Sequence, residues 1–114
     1  MKKIDAIIRN TRFYAVKEAL DDVGIKGMTV YEIKGVGAQK GDVATGGRPG
    51  TFKNTELIPK TKIEIVCDDE DTEKIISAIT SSAQTGSVGD GKIFVSTIDD
   101  VIRIRTGEKG TSAV

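Results

Sequence analysis

The chain has 114 residues, a length that suits one domain, and its 17 basic residues balance its 17 acidic residues. This balance and an aromatic content of 4% argue against nucleic acid as a partner, and the lack of histidine removes the commonest general base and metal ligand. The first ten residues lack the long apolar stretch of a signal peptide, and we expect no membrane span and a cytoplasmic location. The single cysteine, Cys67, lies in an apolar run and predicts a core residue in a reducing compartment.

The hydrophobic pattern predicts six elements in chain order. Residues 3–10 are rich in β-branched side chains and predict a strand. Residues 11–24 carry an apolar stripe with helical spacing and end in a glycine, which predicts a helix. We expect a second strand over 28–37, a third over 58–67, a second helix over 68–86, a fourth strand over 92–98, and a frayed tail after it.

This order predicts an α+β domain of the ferredoxin-like βαββαβ type. Two helices would cover one face of a four-stranded antiparallel sheet. The third strand alternates, so that Ile63 and Ile65 lie on one side and Lys62 and Glu64 on the other. We place Ile63, Ile65 and Ile93, or their neighbours, on the face away from the helices, which would then need a partner surface. A homo-oligomer is the simplest source of that surface.

A long polar connection, residues 37–57, separates the second and third strands. Its five glycines and one proline disfavour regular structure, and Phe52 is an isolated apolar side chain within it. Connections of this length inside a compact domain are often functional. The residues leave two interpretations open, namely a flexible hairpin tip and a segment that orders on a ligand or a partner.

A glycine-rich turn precedes the fourth strand. Residues 86–92 fit the first part of the nucleotide-binding pattern G-x-x-x-x-G-K, but Ile93 stands where that pattern needs Ser or Thr for magnesium. The turn also follows a helix and precedes a strand, the reverse of the true motif. Ordinary turn chemistry explains Gly89 and Gly91. The same glycines also suit an anion-binding nest of main-chain N–H groups, to which Lys92 would add a charge.

Two arginines stand near the C-terminus, in "VIRIRTG". If the segment is extended, Arg103 and Arg105 point the same way, and two guanidinium forks on one side suit a polyphosphate. A solvated pair of charges explains the same spacing, and the residues alone leave both interpretations open.

Five segments together resemble the PII nitrogen-signalling proteins: "MKKIDAIIR", "GIKGMTVYEIKGVGAQKG", "LIPKTKIEIV", "AQTGSVGDGKIFV" and "VIRIRTGE". The resemblance covers nearly the whole chain. It implies one domain over 1–114, with a T-loop at about 37–57, a B-loop at about 84–92 and a C-loop at about 99–114. It also implies a homotrimer with nucleotide sites between neighbouring subunits, where ATP and ADP compete and Mg²⁺-ATP supports binding of 2-oxoglutarate.

The resemblance also implies roles for individual residues. Nucleotide binding is implied for Thr29, Gly37, Ala38, Gln39, Glu64, Val66, Gly89, Asp90, Gly91, Lys92, Arg103, Ile104 and Arg105. Binding of 2-oxoglutarate is implied for Gly37, Gln39, Lys40, Gly41, Lys60 and Gly89, with Lys60 on the distal carboxylate. Gln39 would hold Mg²⁺ with ATP. Target contacts in the T-loop are implied for Arg48, Thr51 and Phe52.

Two departures from the family stand in the T-loop. Ala38 replaces an arginine that many members carry, which predicts weaker ATP binding relative to ADP or AMP. The loop contains no tyrosine and no serine, so uridylylation, adenylylation and serine phosphorylation of this loop are not expected.

The expected function is that of a non-enzymatic sensor of ATP, ADP and 2-oxoglutarate. Its candidate targets are an ammonium transporter, which would be its sole link to a membrane, glutamine synthetase and nitrogenase. The alternative is a divergent sensor of other adenine nucleotides or small anions, acting on a transporter or a carbon-metabolism partner. An enzyme is not expected, because the chain lacks histidine and no nucleophile stands beside a base. A scaffold that forms trimers but binds no metabolite is disfavoured by the retained Gln39, Lys60, Lys92, Arg103 and Arg105.

Overall fold

The computed structural model describes residues 1–36 and 57–114. The described chain runs through β1 (Lys2–Arg9), α1 (Phe13–Asp22), β2 (Thr29–Gly35), β3 (Ile58–Cys67), α2 (Thr72–Ala83) and β4 (Gly91–Thr97). The six predicted elements are therefore confirmed in type and order. Each helix is shorter at its start than predicted, because a 3₁₀ turn precedes it, at Asn10–Arg12 and at Asp69–Asp71. Neither helix in this part of the chain is long and apolar enough to cross a membrane.

The described strands form one antiparallel sheet in the order β2-β3-β1-β4. The central strand β1 pairs with β3 on one side and with β4 on the other, so that Ile4 lies opposite both Ile65 and Val95. Both helices cover one face of this sheet. The largest fully buried side chains come from both layers: Ile4, Ile8, Ile63 and Ile65 from the sheet, and Val16, Leu20, Ile75 and Ile79 from the helices. The predicted ferredoxin-like α+β fold is confirmed.

The prediction that Ile63, Ile65 and Ile93 face away from the helices is wrong. Ile63 and Ile65 are buried beneath the helices, and Ile93 packs against the same core. The alternation itself was predicted correctly, but it does not say which side the helices cover. The apolar stripes of two amphipathic helices need an apolar partner, and the isoleucine side of β3 supplies it.

The other face of the sheet, called the open face below, carries charges. Lys3 lies 3.5 Å from Glu64 and 3.8 Å from Asp5, and Lys62 lies 3.7 Å from Glu64 and 3.9 Å from Asp5. The Lys62 ammonium also stands 5.2 Å from the centre of the Tyr31 ring, within the range of a cation–π contact. This face is therefore a mixture of paired charges and aromatic rings rather than the apolar surface that we predicted.

The prediction of a frayed tail is also wrong. Ile102 forms a β-bridge with Lys109, and residues Gly110–Ala113 form a 3₁₀ turn. The Gly110 N–H donates to the Val101 carbonyl at 3.0 Å and to Asp100 Oδ1 at 3.2 Å. Its positive φ of 78° explains why a glycine starts this turn, since other residues rarely adopt that conformation.

Candidate functional site

The glycine loop, residues 84–91, connects the end of α2 to the start of β4. Gly86, Gly89 and Gly91 have positive φ values of 87°, 103° and 105°. At Gly91 a side chain is excluded by space as well, because a Cβ atom would lie 1.7 Å from the carbonyl oxygen of Ile7. Gly91 thus lets the end of the loop approach the backbone of the central strand β1.

The Asp90 carboxylate holds the loop together from within. It accepts hydrogen bonds from the Thr85 N–H at 2.8 Å, from the Gly86 N–H at 2.9 Å and from the Thr85 hydroxyl. The guanidinium of Arg9 donates to it from β1 at 3.1 Å. The bonds from Thr85, followed by those from Arg9 and Gly86, hold the pKa of Asp90 well below its ordinary value. The carboxylate therefore stays ionised and fixes the start of the loop against its end.

Two cations of the sheet hold the middle of the loop. Arg9 and Lys60 are partners in the β1–β3 register. Arg9 Nη2 donates to the Val88 carbonyl at 2.8 Å, and the Lys60 ammonium donates to the Gly89 carbonyl. Burial lowers the pKa of Lys60, and the neighbouring Arg9 lowers it further, against an opposing effect of Asp90. Both cations thus turn loop carbonyls toward the sheet.

The cations outnumber the acid around the loop. Lys92 stands on β4 opposite Ile7 and is exposed, whereas Arg9 lies on the neighbouring strand β1 and Lys60 lies one strand further away, on β3. Arg9 and Lys60 contact the loop directly, Lys92 follows its last residue, and Asp90 is the one acidic residue within residues 84–91. An excess of positive charge beside a glycine-rich main chain is the chemistry that binds phosphate or carboxylate groups.

Two clefts lie near the candidate site, and residues of the loop line the first of them. One of about 450 Å³ lies between α2 and β4 and is lined by Ile79, Ala83, Gly91 and Lys92, among others. The other, of about 460 Å³, includes Lys60 in its lining, with Asn10, Glu32, Lys34 and Thr61. Both volumes fall in the range of small-molecule sites.

The structure brings together the predicted residues Gly89, Asp90, Gly91, Lys92 and Lys60. It places Thr29, Glu64 and Val66 elsewhere on the open face, where Thr29 lies opposite Glu64 in the β2–β3 register. Glu64 stands four residues along β3 from Lys60, which is about 13 Å in an extended strand. These side chains therefore lie on the same face as the loop cations but further along the sheet.

The C-terminal arginines do not lie side by side on an extended segment. Residues 104–106 form a turn, in which the Gly107 N–H donates to the Arg103 carbonyl at 2.8 Å. The Arg103 guanidinium lies 3.6 Å from Glu108 and 3.4 Å from the Ser112 carbonyl. Arg105 and Ile104 lie in the turn itself and are exposed. The positive φ of Gly107, 73°, lets the chain reverse here. The Thr-Gly pair in the sequence is typical of such a turn.

Two residues that hold the loop in place, Thr85 within it and Arg9 on β1, were not predicted from the sequence. Thr85 lies five residues before Asp90, and a Thr-Gly start to a glycine loop is a signal that points to it. Arg9 gives no such signal, because its contact with Asp90 spans 81 positions of the chain.

The other predicted site residues lie outside the described residues: Gly37, Ala38, Gln39, Lys40, Gly41, Arg48, Thr51 and Phe52. They include the predicted Mg²⁺ ligand and the predicted target contacts. Within residues 1–36 and 57–114 no group of three or more Cys, Asp or Glu side chains is placed to hold a metal ion.

A ferredoxin-like domain with a glycine loop braced by cations defines a small protein suited to binding an anionic ligand. The chain belongs to the family described as "Nitrogen regulatory protein P-II", whose model matches residues 1–108. This membership confirms the predicted family. It also confirms the prediction of a signal-transduction regulator rather than an enzyme, and it implies interaction with targets in nitrogen metabolism.

Individual relatives agree with the family match. The nitrogen regulatory protein P-II of Rhizobium meliloti (strain 1021) is 52% identical over 114 residues, the whole of both chains. Nitrogen regulatory protein P-II 2 of Methanothermobacter thermautotrophicus is also 52% identical, over all of this chain and 97% of its own. The crystal structure of Arabidopsis thaliana PII bound to citrate aligns with a TM-score of 0.80 and 38% identity, covering 99% of this chain and 91% of that one.

Proposed function

We propose that this chain is a nitrogen regulator that senses ATP, ADP and 2-oxoglutarate and signals to its targets through the T-loop. The observation that carries the proposal is the glycine loop together with two neighbouring lysines. Gly91 has no side chain to block the close approach of the β1 main chain, and Lys60 and Lys92 supply positive charge. The proposed unit is a single domain over 1–114, with a T-loop at about 37–57, a B-loop at about 84–92 and a C-loop at about 99–114.

The layout of the open face supports a nucleotide in an elongated conformation. Its phosphates would lie at the glycine loop, beside Lys92, and its base would lie further along β3, near Glu64 and Val66. Phosphate oxygens suit main-chain N–H groups and lysine, whereas the adenine ring suits a strand backbone with a polar neighbour. The remaining proposed contacts are Thr29, Gly37, Ala38, Gln39, Arg103, Ile104 and Arg105.

A second, carboxylate ligand is proposed beside the loop. Lys60 would bind a carboxylate of 2-oxoglutarate, and Gln39 would hold Mg²⁺ together with ATP; Gly37, Lys40 and Gly41 would complete the site. The similar Arabidopsis protein is bound to citrate, itself a small polycarboxylate. That observation also favours a second candidate function, a sensor of other adenine nucleotides or small anions that acts on a transporter or a carbon-metabolism partner.

A homotrimer is proposed as the working assembly. Tyr31 and Phe94 on the open face are 42% and 52% exposed, and they surround the paired charges of Lys3, Asp5 and Glu64. Further copies of the chain would cover these rings. The proposed targets, contacted through Arg48, Thr51 and Phe52, are an ammonium transporter, glutamine synthetase or nitrogenase, in the cytoplasm.

Calorimetry tests the ligand assignment. Titration of 2-oxoglutarate is expected to release or absorb heat with Mg²⁺-ATP and to give none with Mg²⁺-ADP. The heat is expected to vanish in Lys60→Ala. Lys74→Ala is the matched control, since Lys74 lies in the first turn of α2, away from the loop, and pairs with Asp71 at 3.1 Å. Absence of heat in both nucleotides would reject 2-oxoglutarate sensing, and citrate and AMP would then test the second candidate function.

A further inference from the structure

Arg9 ends strand β1 and reaches the glycine loop with two nitrogens at once. Its Nε donates to Asp90 Oδ1 at 3.1 Å and its Nη2 donates to the Val88 carbonyl at 2.8 Å. We propose that Arg9 is a positioning residue that orients the main-chain N–H groups of this loop toward an anionic ligand. The identity of that ligand rests on the proposed function, whereas the orientation itself does not.

Peptide geometry links the Arg9 contact to the N–H groups. In a planar trans peptide the C=O and the N–H point in opposite directions. Since the Val88 carbonyl faces Arg9, the N–H of Gly89 points away from Arg9. The Gly89 carbonyl faces Lys60, so the N–H of Asp90 likewise points away from Lys60.

Two successive N–H groups on one side form a concave anion site. Such a nest needs successive residues whose φ values differ in sign, and Gly89 provides the positive value, 103°. Arg9 and Lys60 therefore contact the carbonyl side of the loop, opposite the side to which the N–H groups point. They fix the two carbonyls, and the main chain on the opposite side presents the donors.

The guanidinium suits this task better than an ammonium would. Its planar fork spans two acceptors of different kinds, the carboxylate of Asp90 and a main-chain carbonyl. It also pairs the negative charge of Asp90, which would otherwise repel an anion bound in front of the loop. A lysine at position 9 keeps the charge but loses the fork, which makes Arg9→Lys the decisive substitution.

The test combines amide hydrogen exchange of the ligand-free protein with calorimetry of Mg²⁺-ADP. In Arg9→Lys and Arg9→Ala, the Thr85 and Gly86 amides, which donate to Asp90, are expected to exchange at least about tenfold faster. The Kd for Mg²⁺-ADP is expected to rise about tenfold or more in both variants. Arg12→Lys is the matched control, because Arg12 also donates to a carbonyl, that of Ser82 at the end of α2, but makes no bond to Asp90.

Each outcome decides the proposal. Faster exchange and weaker binding in Arg9→Lys, with neither change in Arg12→Lys, establish the positioning role. Wild-type exchange and affinity in Arg9→Lys would overturn it, because charge alone would then suffice. Equal changes in the Arg9 and Arg12 variants would overturn it too, since they indicate general loosening. If the wild-type protein binds no Mg²⁺-ADP, the proposed function fails, and the exchange comparison alone decides the role of Arg9.

Discussion

The α-carbon of Gly91 lies so close to the Ile7 carbonyl that an ideal Cβ would stand 1.7 Å from the oxygen. This contact fixes the end of the glycine loop to the central strand of the sheet. Backbone atoms on both sides of the contact leave no flexible side chain to move away. The loop and the sheet edge therefore depend on the same glycine.

Gly91→Ala is expected to destabilise the protein strongly. The φ of 105° costs about 1–2 kcal/mol for alanine, and forcing strand β4 away from β1 costs about 1–3 kcal/mol more. Urea unfolding measures the loss. Gly24→Ala is the matched control, because Gly24 has a similar φ of 86° but nothing within 4 Å of its Cβ position. Equal losses in the two variants would contradict the importance of the contact with Ile7.

Asp90 is expected to make stability depend on pH on the acid side. Its hydrogen bonds with Thr85, Arg9 and Gly86 hold its folded pKa below the ordinary value of about 3.9. The unfolded chain therefore takes up protons first as the pH falls. The stabilisation is complete above about pH 5 and is lost progressively as the pH falls toward the folded pKa.

Comparison of the wild type with Asp90→Asn isolates the part of the pH dependence of stability that is due to Asp90. Asp90→Asn is expected to be less stable than the wild type at pH 7 and to lose less further stability between about pH 5 and pH 2.5. Urea unfolding across this range is the measurement. Asp21→Asn, which removes an exposed carboxylate paired with Lys17 at 3.4 Å, should instead follow the wild-type curve. Parallel curves for the wild type and Asp90→Asn would refute the assignment.

The elements of this fold follow from local patterns, which is why they could be predicted from the sequence. The alternation of β3 and the apolar stripes of the helices are each visible within about ten residues. The orientation of the sheet was predicted wrongly, because alternation distinguishes two faces without saying which one the helices cover. That choice depends on packing between elements far apart in the chain, such as Ile65 against the helices.

The residues of the candidate site also fall into two groups, those that could be predicted from a short segment and those that depend on distant contacts. The glycine spacing and Lys92 could be predicted because they lie within one short segment. Arg9 could not, since 81 positions separate it from Asp90 and the pairing of β1 with β4 brings the two residues together. The C-terminal turn was missed because Gly107 reverses a segment whose isoleucines and arginines alternate as in a strand.

Removal of the Arg9 charge is expected to raise the pKa of Lys60. Burial is the main cause that lowers this pKa, and Arg9 adds a like charge that disfavours the ammonium form. In Arg9→Gln the second cause disappears while burial remains, so the pKa should rise but stay below its ordinary value. NMR titration of the Lys60 side chain measures it. An unchanged or lower pKa in Arg9→Gln, or an equal rise in Arg12→Gln, would contradict this account.

The proposed homotrimer predicts that a charge placed on the open face separates the subunits. Phe94 lies opposite Asp5 in the β1–β4 register and is 52% exposed in the single chain. A lysine at this position would add a third ammonium beside Asp5 and Glu64, whose two carboxylates already pair with Lys3 and Lys62. An uncompensated positive charge would then be buried between subunits, which is strongly unfavourable. Light scattering should give three times the 12.2 kDa of one chain for the wild type and a smaller mass for Phe94→Lys. Tyr14→Lys is the control, since Tyr14 is 79% exposed on α1, on the helical side, and its substitution should leave the trimer intact. A wild-type mass of one chain would reject the trimer, and dissociation by Tyr14→Lys alone would move the subunit contact from the sheet to the helices.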